Sequence, residues 1–388
     1  MAAVVSLGLQ PSAGDIDSAD APHAVSVPAR LYWPQLDGLR FIAASLVFLA
    51  HAPVMPLGVL ILLNRFGWSG VDLFLALSAF LLTRLLRAEF EATGSIDVRR
   101  FYLRRMLRIW PLHLTFVTAM LCLHCFLHAA QIRDAIGFWL SHLLFVNNLV
   151  VSNLGFERRL IFCSHLWTIS LEEQFYVIIP IVALVVLSRR ISLAGLRAGF
   201  VCVVLGLIGA RSACAILEVP HPFIWVLPIR GDAIVLGMAL GMGVGADWVK
   251  GRTAVPCFLA GLAMLVGTAF MPSFEHPGWS QVLGYTFLDL GCVLMVAGAT
   301  GEHLVSRLLS NPVFRYLGKI SFGIYVYHLI TIAACTRLAA HYAGSNPWLI
   351  GGTSFAVTIL VAALSYSLFE RRFLVYKERL TLVKSRPV

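Results

Sequence analysis

Charge is scarce in this chain. Asp, Glu, Lys and Arg make up 13% of its 388 residues, about half the ~25% usual for a soluble domain. Acidic residues are the rarer kind, 20 against 30 Lys and Arg, for a formal net charge of +10. The eight cysteines lie mostly inside apolar runs and show no disulfide spacing. That excludes a disulfide scaffold and leaves them as small free hydrophobes. A secretory leader is not expected either, because MAAVVSLGLQ has no basic flank and too short an apolar stretch. No stretch between apolar runs is long enough for a soluble domain; the largest lie near 87–108 and 131–165. No helical repeat of fixed period is visible, nor an inverted repeat of the kind many transporters carry.

Apolar residues are plentiful. They make up 59% of the chain, and the mean hydropathy is +0.82. Apolar runs of about 20 residues recur between positions 36 and 370, the length needed to cross a bilayer as a helix. Barrel strands would alternate over roughly 10 residues instead. In lipid each backbone polar group needs an internal partner, so the expected fold is all-α, a polytopic integral membrane bundle of about ten transmembrane helices. The expected spans are 38–62, 67–86, 109–130, 166–188, 193–216, 224–246, 254–271, 281–300, 316–339 and 347–369. Residues 1–30 read as a disordered tail, 31–373 as the membrane domain and 374–388 as a basic tail.

One further segment, GFWLSHLLFVNNLVV (137–151), is apolar but short. It could span, re-enter or lie at the interface, and the charge distribution favours the last two over an eleventh helix. If it does not cross and the N-terminus is cytoplasmic, 23 Lys and Arg fall inside and 6 outside. This agrees with the excess of basic residues on cytoplasmic loops and places both termini inside. The same excess accounts for the positive charge without a nucleic-acid partner.

Ionisable residues within spans are costly and point to function. Leu36 to His51, LDGLRFIAASLVFLAH, carries Asp37, Arg40 and His51. Arg40 and His51 are eleven positions apart, which puts them on one helix face and roughly 16 Å apart along the axis. This suits an anion held at the mouth with chemistry deeper in; a snorkelling Arg and a core His are the plain alternative. Asp37 either caps the helix or pairs with a nearby Arg. In DVRRFYLRRMLRIWPLH (97–113), Arg105 and Arg108 share a face, so they form either a phosphate grip or a contact with anionic lipid. In SHLWTISLEEQFYVIIP (164–180), Glu172 and Glu173 lie inside an apolar run about 100° apart. One is expected to face a pocket and the other a structural partner. Ser321, Tyr325 and His328 share a face of the ninth span. Arg230 and Asp232 are either site residues or partners of other charges. CLHCFLH (122–128) has no second ligand pair, and no metal is expected there.

Taken in order, these segments resemble membrane-bound acyltransferase family 3, the O-acyltransferases of bacterial surface polysaccharides, O-antigens and Nod factors. LDGLRFIAASLVFLAH is similar to the opening segment, with Arg40, ten residues, then His51. GVDLFLALSAFLLT (70–83), RRMLRIWP (104–111), LWTISLEEQFYVIIP (166–180), LGKISFGIYVYHLI (317–330) and SYSLFERRF (365–373) follow in family order. Ala79 stands where the family usually has Gly, and Arg372 where Pro is common.

The resemblance implies acetyl-CoA or another acyl-CoA as co-substrate, a carbohydrate acceptor such as exopolysaccharide, O-antigen or lipo-oligosaccharide, and a bacterial inner membrane. On that footing Arg40, Arg105 and Arg108 would hold the CoA phosphates. His51 would be the base, with Glu173 or Glu172 orienting it. A covalent acyl group on His51, Ser78 or Tyr325 is the second route. Asp37, Arg230 and His328 complete the expected pocket. Some relatives carry a C-terminal esterase-like domain that this sequence is expected to lack. A transporter or flippase of a glycan or lipid-linked precursor is the alternative class.

Overall fold

The computed structural model describes residues 31–155, 160–219, 229–245, 249, 251–272, 274, 278–342 and 346–385. The expected tail 1–30 lies outside them. Every regular element among the described residues is helical. In chain order the α-helices are α1 Pro34–His51, α2 Gly58–Phe66, α3 Gly70–Thr93, α4 Val98–Leu127, α5 Ile132–Leu143, α6 Asn147–Leu154, α7 Trp167–Ser188 and α8 Leu193–Ile216. They continue as α9 Asp232–Gly241, α10 Ala254–Gly267, α11 Trp279–Ala299, α12 Leu304–Leu309, α13 Pro312–Lys319, α14 Ser321–Tyr342, α15 Pro347–Ser365 and α16 Arg371–Arg379.

Eight helical runs among the described residues are long and apolar enough to cross a membrane. They correspond to eight of the ten expected spans. The first expected span is the 18-residue α1, whose Asp37 and Arg40 lower its hydropathy. The sixth is represented by the short apolar α9, and its expected start at 224–228 lies outside the described residues. The protein is a multi-pass helical membrane protein.

Two expected boundaries need correction. The first span does not run to 62: α1 ends at His51, an extended stretch follows, and α2 starts at Gly58. Pro53 and Pro56 in that stretch cannot donate to a continuing helix. The ninth span is broken at Ile320 between α13 and α14. Segment 137–151 is divided between α5 and α6, with Phe145 at a left-handed φ of 53° between them. The 12 residues of α5 rise about 18 Å, well short of a ~30 Å hydrocarbon core.

Helix α3 lies at the centre and packs on α1, α7, α9 and α11. A Cβ at Gly237 would stand 2.7 Å from the Ala76 carbonyl oxygen, so α9 reaches the α3 backbone only through a glycine. Gly318 is tighter still, with a Cβ there 1.9 Å from the Asp37 carbonyl oxygen. Ten residues on from Gly318, within α14, the His328 ring lies 4.9 Å from that of His51 at the far end of α1. Helices α1 and α14 therefore run in the same direction. Helix α7 runs against them, from Thr168 beside Tyr325 to Tyr176 beside Arg105. Only Leu207 and Arg211 of α8 are buried, so its apolar surface is left for lipid.

Candidate active site

Helices α1, α3, α4, α7 and α14 enclose a cavity of about 120 Å³. Its wall gathers Asp37, Arg40, Ser78, Arg105, Arg108, Glu172, Ser321 and Tyr325 from five separate sequence segments. His51, Glu173, Arg230 and His328 do not line it. Leu31 and Ser385 border the cavity as well, and the Leu31 backbone N–H donates to the Lys384 carbonyl at 2.8 Å. The chain on either side of the bundle thus meets at one mouth.

Three guanidinium groups define that end. Asp37 sits a turn inside α1, where Trp33 is the N-cap residue, so it does not cap the helix. It accepts from the Tyr32 hydroxyl at 2.9 Å and lies 3.9 Å from Arg40. Arg105 stacks over Phe101 and Tyr176 at 5.9 and 5.8 Å, and its buried Nε has no hydrogen-bond partner. Its neighbour Arg104 is committed elsewhere, donating to Glu89 at 3.1 Å and to the Leu380 carbonyl at 3.2 Å.

The paired carboxylates face apart, as their helical spacing requires. Glu172 lines the cavity. Its Oε1 accepts from Ser78 Oγ at 2.8 Å and from the Tyr176 hydroxyl one turn further on. Glu173 points towards α4, where Trp110 Nε1 donates to it at 3.3 Å.

His51 does not meet either carboxylate in this structure. Its Nδ1 bonds the Val47 carbonyl at 2.9 Å. A carbonyl accepts only from N–H, so the proton is fixed on Nδ1 and Nε2 keeps its lone pair. The expected Glu–His pairing is thus replaced by a backbone one, because α1 supplies its own carbonyl one turn back. His51 is exposed on one side and faces the His328 ring on the other. Between His51 and the cavity stands a residue the sequence reading missed, His165, whose ring lies 4.5 Å from that of His328 and 5.1 Å from that of Tyr325. An imidazole opening an apolar run in SHLWTIS was the signal for it.

The sequence profile described as an acyltransferase domain matches residues 33–367. The chain belongs to acyltransferase family 3. It is 25% identical over 370 residues to the peptidoglycan O-acetyltransferase OatA of Listeria monocytogenes serovar 1/2a, covering 88% of this chain and 56% of that protein. It is 24% identical over 374 residues to the O-acetyltransferase OatA of Staphylococcus aureus strain NCTC 8325 / PS 47, covering 92% of this chain and 59% of that protein. The chain therefore spans somewhat over half the length of these relatives. No solved structure matches it.

In this family 3 chain, Arg230 takes the second of its two expected roles, as a charge partner. Its Nη2 donates to both Asp72 oxygens at 3.0 and 2.9 Å, and its guanidinium lies 4.8 Å from the Tyr285 ring centre. Asp232 is paired in turn with Arg211 at 2.5 and 3.1 Å, and Thr286 donates to it at 2.6 Å. Asp289 accepts from the Ala233 backbone N–H at 2.9 Å. All five charged groups are buried. They tie α3, α8, α9 and α11 together behind the cavity rather than lining it. Spacing along the sequence carries no sign of Arg230–Asp72, whose members are 158 positions apart.

Proposed function

We propose that the protein is a membrane O-acyltransferase that takes an acyl group, acetyl in the simplest case, from cytoplasmic acyl-CoA. The acceptor is a hydroxyl of a carbohydrate at the opposite face of a bacterial inner membrane. One observation carries this reading. A single cavity joins an arginine-rich mouth to a carboxylate and hydroxyls inside the bundle, and an imidazole with a fixed free nitrogen lies beyond. Arginine forks suit the phosphates of CoA. The pantetheine arm then enters an apolar shaft between Phe74, Val71 and Ile169.

His51 is the base. Its Nε2 lone pair takes the proton of the acceptor hydroxyl, whose oxygen attacks the thioester carbonyl carbon. The carbon–sulfur bond breaks, and the CoA thiolate leaves by the mouth it entered. Glu172, rather than Glu173, is the carboxylate placed to act within the cavity. Ser78 and Tyr176 hold its Oε1. The carbohydrate class of acceptor rests on the family resemblance and is in keeping with the peptidoglycan named for the Listeria relative. The basic residues and the meeting of residues 31 and 384 support a cytoplasmic mouth with both ends of the chain inside.

The test is incubation of the purified protein with labelled acetyl-CoA and surface glycan, beside His51→Ala. Label should pass to the glycan with the wild type and fall at least about a hundredfold in the variant. Intact acetyl-CoA after incubation with a correctly folded wild type would place the protein among transporters instead.

A further inference from the structure

Beside the proposed base stands a second imidazole with an unmet lone pair. His328 is 1% exposed, and its Nδ1 donates to the Tyr325 carbonyl at 2.6 Å. Its proton is therefore on Nδ1 and its lone pair on Nε2. That Nε2 is buried and has no hydrogen-bond partner. His165, its ring 4.5 Å from that of His328, lacks partners on both nitrogens. Buried polar atoms are nearly always satisfied, so three such atoms together point to a ligand's polar groups. The hydroxyls nearby are committed: Tyr325 donates to the His165 carbonyl at 2.5 Å and Thr331 to the His328 carbonyl at 2.9 Å. Among the described residues no three His, Cys, Asp or Glu side chains could hold a metal ion. The fitting partner for the His328 lone pair is a hydrogen-bond donor from outside the chain.

His51 has the same arrangement. The Val47 carbonyl holds its Nδ1–H, and its lone pair is on Nε2. The two rings lie 4.9 Å apart, and His51 is the exposed one. A ligand that reaches His328 from the exposed side meets His51 first. Two donors held a short distance apart on one rigid frame suit such a pair, and a sugar ring with two nearby hydroxyls is such a frame. Admitting the second hydroxyl requires the rings to part, and the exposed side of His51 leaves it room to move.

We propose that His328 reads a second hydroxyl of the acceptor, so that the protein acylates one member of a diol and requires the other to be free. This rests on the acyl-transfer reading above. The reacting hydroxyl gives its proton to His51 Nε2. Its neighbour, on the next ring carbon or the one after, donates to His328 Nε2 and keeps its proton. His328 takes no part in bond making; it binds the acceptor and fixes which hydroxyl faces the base. An acylated or methylated neighbour has no proton to donate and leaves the lone pair unmet, so a second acylation of the same diol is disfavoured. A site built to bond a hydroxyl strongly rejects the analogue that lacks it.

The experiment compares wild type, His328→Leu and His328→Gln in lipid nanodiscs with labelled acetyl-CoA. The acceptors are the methyl glycosides of glucose, galactose and mannose, each with its monodeoxy and mono-O-methyl analogues, and surface glycan. With the wild type, removing or methylating one hydroxyl near the labelled position should lower kcat/KM roughly ten- to hundredfold. Removing a remote one should lower it by less than about threefold. His328→Leu should lower kcat/KM for the parent glycoside by a similar factor, no longer tell the parent from the deoxy analogue, and keep the KM for acetyl-CoA. His328→Gln offers an amide oxygen as acceptor and should restore part of the discrimination. Glycan acetylated to completion by the wild type should carry no ring with both members of the diol acetylated. Equal wild-type rates on the parent and every monodeoxy analogue, unaltered discrimination in His328→Leu, or doubly acetylated diols in the glycan would each overturn the proposal and leave acyl transfer standing. A uniform loss on all acceptors with a lowered melting temperature in both variants would overturn it as well, as a purely structural role. Failure of the folded wild type to label any acceptor would instead sink the acyl-transfer reading on which the proposal rests.

Discussion

Glu172 takes two hydroxyl donors on one carboxylate oxygen, while Glu173 takes one indole N–H from outside the cavity. Helical phase alone says only that the two must differ. Which one turns inward depends on how α7 is rotated against α3 and α4, and that is set by packing far from either residue. Glu172→Gln should lower the transfer rate about a hundredfold, and Glu173→Gln by less than about tenfold, in initial rates with labelled acetyl-CoA. Equal losses would return both to the site. Arg105 is held by two aromatic rings, with its Nε left unpartnered. A charged hydrogen bond contributes about 1.5–3 kcal/mol, so Arg105→Ala should raise the KM for acetyl-CoA roughly ten- to hundredfold and leave kcat nearly unchanged. Arg105→Lys keeps the charge without the fork and should fall between.

The elements were largely legible, because a run of twenty apolar residues has few alternatives in lipid. The exceptions have physical causes. Helix α1 carries two charges in its first half and stops where two prolines interrupt it. The step at Ile320 exists because Gly318 lets α13 sit on the Asp37 backbone, a contact between distant segments that no local pattern announces. Gly318→Ala should therefore force α13 off α1, costing about 1–3 kcal/mol and raising the KM for acetyl-CoA by displacing Asp37 and Arg40. Melting in detergent and a substrate titration check the two halves separately. Charge pairs across helices were equally invisible. Asp72→Ala strands a buried guanidinium and should cost about 3–5 kcal/mol, whereas Asp72→Ala with Arg230→Met should recover most of that loss. A double-mutant cycle on the melting temperature measures the difference.

At the scale of the whole molecule the shaft has a direction. Residues 31 and 384 meet at the arginine end, and α1 leads from there to His51 and the exposed Leu57. An even number of crossings must then separate 31 from 384, a parity that the eight long apolar runs meet as well as the ten expected spans. Acyl transfer across the membrane requires the two ends of the shaft to face different compartments. Single cysteines at Lys384 and Leu57, in a background with the eight native cysteines replaced by serine, should therefore react with an impermeant maleimide from opposite sides. Lys384→Cys should label in inverted vesicles and Leu57→Cys in intact cells. Acetyl-CoA added outside should be consumed by sealed inverted vesicles and spared by sealed right-side-out ones. Labelling of both cysteines from one side would mean that the shaft opens on a single compartment, and the acceptor would then have to reach His51 from the same side as the donor.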